Sequence, residues 1–376
     1  MGRSLKLFSV RGIDIRLHFT FPLILLWAAL QFGLAGGGGE SALFGVIVIS
    51  LLFVLVTLHE LGHSFAALYY GVPVKQIVLS PIGGVAQLQE MPEKPVQEFV
   101  IAAAGPAVNL VVALLMALFI PVLGLDRADF VAALTLNAGL TATAVFAYLF
   151  VYNIFLALFN LIPAFPLDGG RIFRSLLAMK LDYIQATNIA VGVGRATAVM
   201  LGIYALFNGG IFLIFIAVFI YSVGGQEAAF VRTRHTLRGY AVRDAYSPQA
   251  YTLTPYTTLQ QAVNLMMVSG QGNFPVVDGD NETLAGFVTQ QDLGQAMQTR
   301  GGHAWANMIM RRVAPVALGT PLLDVQKRLE TEQLGALPVV DNGRYLGIIG
   351  QWQIRHFFTL ISHKSNTHPP TIIQSV

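Results

Sequence analysis

Up to about residue 225 the chain is a succession of apolar runs with very little charge, several of them long enough to cross the roughly 30 Å of hydrocarbon in a bilayer. The runs fall near 18–34, 42–70, 99–124, 130–160, 184–207 and 210–224. Lipid offers the backbone no hydrogen-bond partner, so runs of this length fold as helices. Only 11% of the 376 residues are charged, against about 25% in soluble domains, and charge returns to ordinary density from Arg232 onward. The fold expected is a polytopic α-helical membrane domain of about six spans, followed by a soluble α/β half.

Six spans place both chain ends on one side, and basic residues choose the side. The segments on that side carry Arg3, Lys6, Arg11, Arg16, Lys75, Lys94, Arg171, Arg174, Lys180, Arg232, Arg234 and Arg238, whereas the opposite loops carry only Arg127. A multi-pass cell-membrane protein with both termini in the cytosol is expected. Arg195, inside the fifth run, is read as snorkelling toward the inner surface. The net charge of +3 then reflects cytosolic loops and not a nucleic-acid surface. The chain has no cysteine, which excludes disulfides and thiolate zinc sites. The stretch "MGRSLKLFSVRGIDIR" is too long and regular for the start of a cleavable signal.

Two inner segments do not read as helices. Residues 7–17, "LFSVRGIDIRL", alternate about a glycine and suggest a hairpin. Residues 74–89, "VKQIVLSPIGGVAQLQ", alternate in part, and Pro81, Gly83 and Gly84 restrict them to an edge strand or a bent loop.

The apolar run through 51–71 contains "HELGH". Residues four apart lie on one helix face, so His59 and His63 can bring two imidazoles to one metal ion, with Glu60 near enough to handle a proton on water. Charged groups at membrane depth are costly, and a histidine pair packed without a metal would leave Glu60 unpartnered. A catalytic zinc takes three protein ligands and keeps one position open. Most other acids of this half, namely Glu40, Glu90, Glu93, Glu98, Asp126, Asp129 and Asp182, read as loop residues. Asp168 differs: it closes a long uncharged run within "NLIPAFPLDGGRIF", where Pro163 and Pro166 break the helix. Irregular backbone at that depth is tolerated only inside protein or along a wet cavity. The bland alternative for Asp168 is a helix cap in a plain loop.

The soluble half repeats itself: 257–293 aligns with 320–354, with Pro275-Val276-Val277-Asp278 matching Pro338-Val339-Val340-Asp341 at an offset of 63 residues. Each unit reads helix, strand, turn, strand, helix and leaves one sheet face uncovered, so two copies should pack as a pair. This pattern, over about 240–358, resembles the tandem CBS domain.

"HELGH" in one span with N-x-x-P-x-x-P-L-D-G in a later one resembles the site-2 protease family of intramembrane zinc metalloproteases. The resemblance covers most of 11–225. It implies that His59, His63 and Asp168 bind Zn2+, that Glu60 is the general base, and that Asn160 holds substrate or the oxyanion. "AAAGPAVNL", 102–110, is similar to the family's third-span motif; there Gly105 allows close helix packing, and Asn109 reads as an interhelical hydrogen bond before a catalytic group. The implied substrate is a single-span membrane protein of the anti-sigma or transcription-factor type, held in the lipid bilayer. Such a helix must unwind before attack, and 74–89 is either an edge that receives it as an added strand or a loop that plugs the cavity. The CBS resemblance implies ATP or another adenine nucleotide, with Thr289 and Asp292 of "GFVTQQDL" meeting phosphate and ribose; the second repeat has Gly350 and Gln353 at those places. A purely structural or dimerising pair, giving a homodimer, stays open.

The domains expected are 1–225 for the protease, 226–240 for a linker, 241–298 and 299–360 for the two CBS repeats, and 361–376 for a disordered tail. The rival reading is a CBS-regulated transporter or channel, since those too place polar groups and helix breaks at membrane depth.

Overall fold

A computed structural model of the chain describes residues 4–36, 38–81, 83–88, 92–134, 140–279 and 283–367. It divides into two compact units, Met1–Ala229 and Phe230–Val376.

The first unit opens with a hairpin, β1 (Ser4–Val10) and β2 (Ile13–His18), followed by α1 (Pro22–Gly36) and α2 (Gly39–Tyr69). Arg11 and Gly12 both have positive φ at the hairpin turn, the conformation that a two-residue turn between twisted strands demands. Next come β3 (Val74–Ser80) and β4 (Gly83–Leu88), which complete a four-stranded sheet in the order β1-β2-β3-β4, with β2 and β3 parallel. The region read as an edge strand is therefore a hairpin whose second strand, β4, is the edge; Gln89 lies outside the described residues. The helices that follow are α3 (Pro95–Ala117), α4 (Ile120–Leu123), α5 (Arg127–Leu134), α6 (Ala142–Asn160), α7 (Asp168–Ala178), α8 (Tyr183–Asn208) and α9 (Ile211–Leu237).

Among the described residues, five helices are long and apolar enough to cross a membrane: α2, α3, α6, α8 and, over Leu213–Leu237, α9. The first of the six expected spans is the shorter α1, whose 15 residues reach only about 22 Å. The run 130–160 is not one helix either: α6 starts afresh at Ala142, where Thr141 Oγ1 accepts from Ala144 N as an N-cap. Hydropathy counts apolar residues and is blind to such caps.

The outer faces of these helices are apolar, unlike the surface of a soluble protein. Ala28, Ala67, Ala102, Ala147, Ala190 and Ala205 are buried, whereas Leu110, Leu114, Leu118, Leu206 and Phe207 are exposed. Small residues between helices and large apolar ones outside are the arrangement that lipid favours. Arg195 lays its guanidinium over the Tyr221 ring, 5.2 Å from its centroid, and Gly225 makes room for it.

The stretch read as a linker, 226–240, is helical as far as Leu237, because the returning charges do not interrupt helix periodicity. The second unit then runs α10 (Val242–Ala245), α11 (Leu259–Ser269), β5 (Asn273–Asp278), β6 (Thr283–Thr289), α12 (Gln290–Arg300), α13 (Leu322–Glu332), β7 (Ala336–Asp341), β8 (Arg344–Gly350) and α14 (Gln351–Thr367). The repeat is visible in the register: β5–β6 and β7–β8 are antiparallel pairs that both slip just after an equivalent pairing, Val276↔Gly286 and Val339↔Gly347. The repeats are interlaced. Ser247, ahead of the first, bridges Ile348 of the second, and Arg311, ahead of the second, bridges Phe287 of the first. Leu237 and Val242 accordingly pack in the second repeat's core, so a cut at 298/299 separates sequence repeats and not packed bodies. The expected tail begins inside α14, which continues to Thr367; residues 368–376 lie outside the described residues.

Candidate metal centre

α2 carries His59 and His63 one turn apart on its buried face, with their rings 4.7 Å apart and nearly perpendicular. Their Nε2 atoms are 3.1 Å from each other. Asp168 Oδ2 lies 3.1 Å from His59 Nε2 and 3.2 Å from His63 Nε2, although more than a hundred residues separate it from them in sequence. Asp168 is the first residue of α7, yet it caps nothing: Leu167 is the N-cap, with no side-chain cap hydrogen bond. The cap alternative therefore fails.

The donors suit a cation. His63 Nδ1 donates to the carbonyl of Ile101 at 2.7 Å, which leaves the Nε2 lone pair aimed at His59 Nε2 and Asp168 Oδ2. His59 and His63 are 4% and 8% exposed, and His59 Nδ1 has no hydrogen-bond partner among the described residues. Two imidazole nitrogens and a carboxylate oxygen facing one point inside a buried site repel one another unless a proton or a metal cation sits between them. Two histidines and one carboxylate are a familiar catalytic zinc set, so the residues fit that ion.

Glycines let the surrounding backbones approach. A Cβ on Gly105 of α3 would overlap His63 Nε2, and one on Gly62 would come within 2.8 Å of the Ala104 carbonyl, so α2 and α3 pack backbone to backbone at the site. Gly169 and Gly170 press the start of α7 onto the 161–165 turn. On the other side β4 covers Glu60: Ala86 N–H donates to Glu60 Oε2 at 3.2 Å, and Gly84 leaves space for the Glu60 side chain.

Not every expected residue joins the group. Asn160 ends α6 with its Nδ2 donating to Leu156 O at 3.0 Å, turned back on its own helix and not toward the two histidines or Asp168 by any hydrogen bond among the described residues. Thr289 and Asp292 sit together at the start of α12 as a reciprocal capping pair. Arg311, which the sequence reading missed, forks onto Asp292 and reaches Thr289 Oγ1 at 3.0 Å. Burial raises the Asp292 pKa, but the hydrogen bonds from Arg311 and Thr289 outweigh it and hold the carboxyl below its ordinary value.

Glu98 is not the loop acid that its place in the sequence suggests. It is instead fully buried in α3 and bound by Arg174 of α7, which also pairs with Glu227 of α9. An acid at the head of an uncharged run was the available signal, since a buried carboxylate needs a cation.

The model of peptidase family M50 matches residues 47–201, and the CBS domain model matches 242–298 and 306–359. A zinc metalloprotease of Methanocaldococcus jannaschii is 29% identical over 97% of this chain and 98% of its own length. The solved site-2 protease from the same organism is 34% identical, covering 60% of this chain and 95% of that one, with a TM-score of 0.43. The chain carries a peptidase family M50 domain, of the site-2 protease type, followed by tandem CBS domains. Stage IV sporulation protein FB of Bacillus subtilis is a further relative, 24% identical over 57% of this chain and 69% of that protein. This M50 peptidase is thus a multi-pass membrane zinc metalloprotease of the site-2 type, carrying a tandem CBS domain. The transporter reading finds no support among these relatives.

Proposed function

We propose that His59, His63 and Asp168 hold the zinc ion and that Glu60 is the general base in hydrolysis of a peptide bond within or near a transmembrane segment. What supports the reading is the meeting of the three donor atoms within 4.8 Å of one another, beside Glu60 and under β4. The ion, when bound, supplies Lewis-acid polarisation of a carbonyl and acidification of water. Glu60 takes the proton of the attacking water and delivers it to the leaving amide nitrogen. Because Ala86 N–H holds Oε2, the proton is assigned to Oε1. Asn160 is assigned the tetrahedral oxygen, where a lost donor costs about 3 kcal/mol; this role requires its amide to leave Leu156 O.

The substrate is a single-span membrane protein, of the anti-sigma or transcription-factor type, whose helix is unwound and added to the edge strand β4. Both termini are placed in the cytosol by the basic inner loops. Adenine nucleotide binds at Thr289 and Asp292, where Arg311 becomes a partner for phosphate, and the CBS pair mediates a homodimer.

The test is cleavage of a single-span substrate by wild type and Glu60→Gln, with zinc measured in both. Retained zinc with lost cleavage is expected; equal cleavage removes Glu60 as the base. Calorimetry with ATP on wild type and Asp292→Ala tests the cytosolic half, and absence of heat from wild type reduces the CBS pair to a structural role.

A further inference from the structure

We propose that Arg174 is a positioning residue for the metal centre: it locks α7 to α3 and α9, and so fixes both Asp168 and the carbonyl that orients His63. The inference rests on the assignment of His59, His63 and Asp168 as zinc ligands.

Among the described residues Arg174 is the largest fully buried side chain, at 2% exposure. Its guanidinium is used on every side. Nε donates to Glu98 Oε1 at 2.9 Å, Nη2 donates to the same oxygen, and Nη1 donates to Glu227 Oε1 at 2.6 Å. The ring of Phe165 lies 4.9 Å from the guanidinium carbon and that of Tyr183 lies 5.0 Å from it. Planar, forked pairing with aromatic stacking is a geometry that lysine cannot reproduce.

The placement of these partners connects them to the ligands. Arg174 lies in the second turn of α7, whose first residue is Asp168. Phe165 stands three residues ahead of Asp168, so Arg174 grips the chain on both sides of the ligand. Glu98 stands three residues ahead of Ile101 on α3, about one helical turn from the carbonyl that accepts His63 Nδ1–H. A shift of α7 against α3 therefore moves Asp168 and the His63 acceptor in opposite senses. Metal sites tolerate ligand displacements of only about 0.2 Å.

A buried ion pair is poor evidence for stability in itself, because apolar replacements of similar volume often fold as well or better. This separates positioning from folding. In the full-length protein, Arg174→Lys and the double variant Glu98→Leu/Arg174→Met are compared with wild type for thermal unfolding, zinc release to a chelator and the visible absorption of the cobalt-loaded form. Both variants are expected to fold, to bind zinc about 10–100-fold more weakly, and to show altered cobalt bands. A folded pair with wild-type zinc affinity and wild-type cobalt bands overturns the proposal. Failure of both to fold also overturns it, because the network is then only a stability element. If wild type itself takes up neither metal, the zinc assignment fails, which is a different outcome from equal binding by all three proteins.

Discussion

Gly105 lies against His63 so closely that a single methyl group on its Cα would occupy the space of the imidazole Nε2 atom. The neighbouring His59 Nε2 would be 2.7 Å from the same methyl. In an exposed helix interior, glycine to alanine gains roughly 1 kcal/mol, so propensity alone would favour the change. Here the overlap is with two metal-site nitrogens held by buried helices, and it outweighs propensity. Gly105→Ala should purify with little zinc and no cleavage activity. Metal analysis checks this, and full zinc occupancy would show that the imidazoles are free to retreat.

The bond from Ala86 N–H to Glu60 Oε2 joins the edge strand to the proposed base. Ala86→Pro removes that donor while leaving the zinc ligands untouched, and proline is tolerated on edge strands. A hydrogen bond to a charged group is worth about 1.5–3 kcal/mol, so cleavage should slow by roughly 10–100-fold. Zinc content should stay at the wild-type level. Single-turnover cleavage with parallel metal analysis separates this outcome from general damage, in which both would fall.

The three donors that meet in the structure could be picked out of the sequence because each carries a local mark. "HELGH" puts two imidazoles on one helix face by periodicity, and Asp168 is marked by the proline breaks beside it. The repeat was legible too, since the matching "PVVD" segments adopt matching strands with register slips at the same place. What escaped is non-local. The bridge from Ser247 to Ile348 leaves no local pattern, so the interlacing of the repeats was invisible. Arg174 read as one of many inner basic residues, because the counting of charges cannot distinguish a loop cation from one enclosed by Glu98 and Glu227. The expected count of about six spans holds only with the 15-residue α1 taken beside the five longer helices, a difference in length that the apolar run does not display.

Asp292 makes the second unit acid-sensitive. Its carboxyl titrates below its ordinary value when folded, because the hydrogen bonds from Arg311 and Thr289 overcome burial. A group whose folded pKa is depressed contributes stability above its unfolded pKa, and that contribution is lost as pH falls through the folded value. The unfolding temperature of the CBS unit should therefore hold steady down to about pH 4 and decline below it. Arg311→Ala should start lower at neutral pH and decline less steeply. Calorimetry of the full-length protein across this range reads both slopes, and parallel curves would remove Arg311 from the linkage.

Asn153 and Asn109 are both buried between α6 and α3 but predict opposite outcomes. Asn153 Nδ2 donates to the backbone carbonyl of Asn109 at 2.7 Å, so the bond expected of Asn109 is made by its main chain. The Asn109 side chain has neither its Oδ1 nor its Nδ2 partnered among the described residues. Polar bonds between membrane helices average about 0.6 kcal/mol and reach about 1.7, so Asn153→Ala should lower the stability of the membrane unit by an amount in this range. Asn109→Leu keeps the backbone acceptor and removes two buried polar atoms that have no partner, whose desolvation costs about 1–3 kcal/mol. It should be neutral or stabilising, with cleavage retained. Detergent unfolding and cleavage assays on both variants decide the matter. An Asn109→Leu protein that is stable but inactive would move that amide from helix packing into the reaction itself.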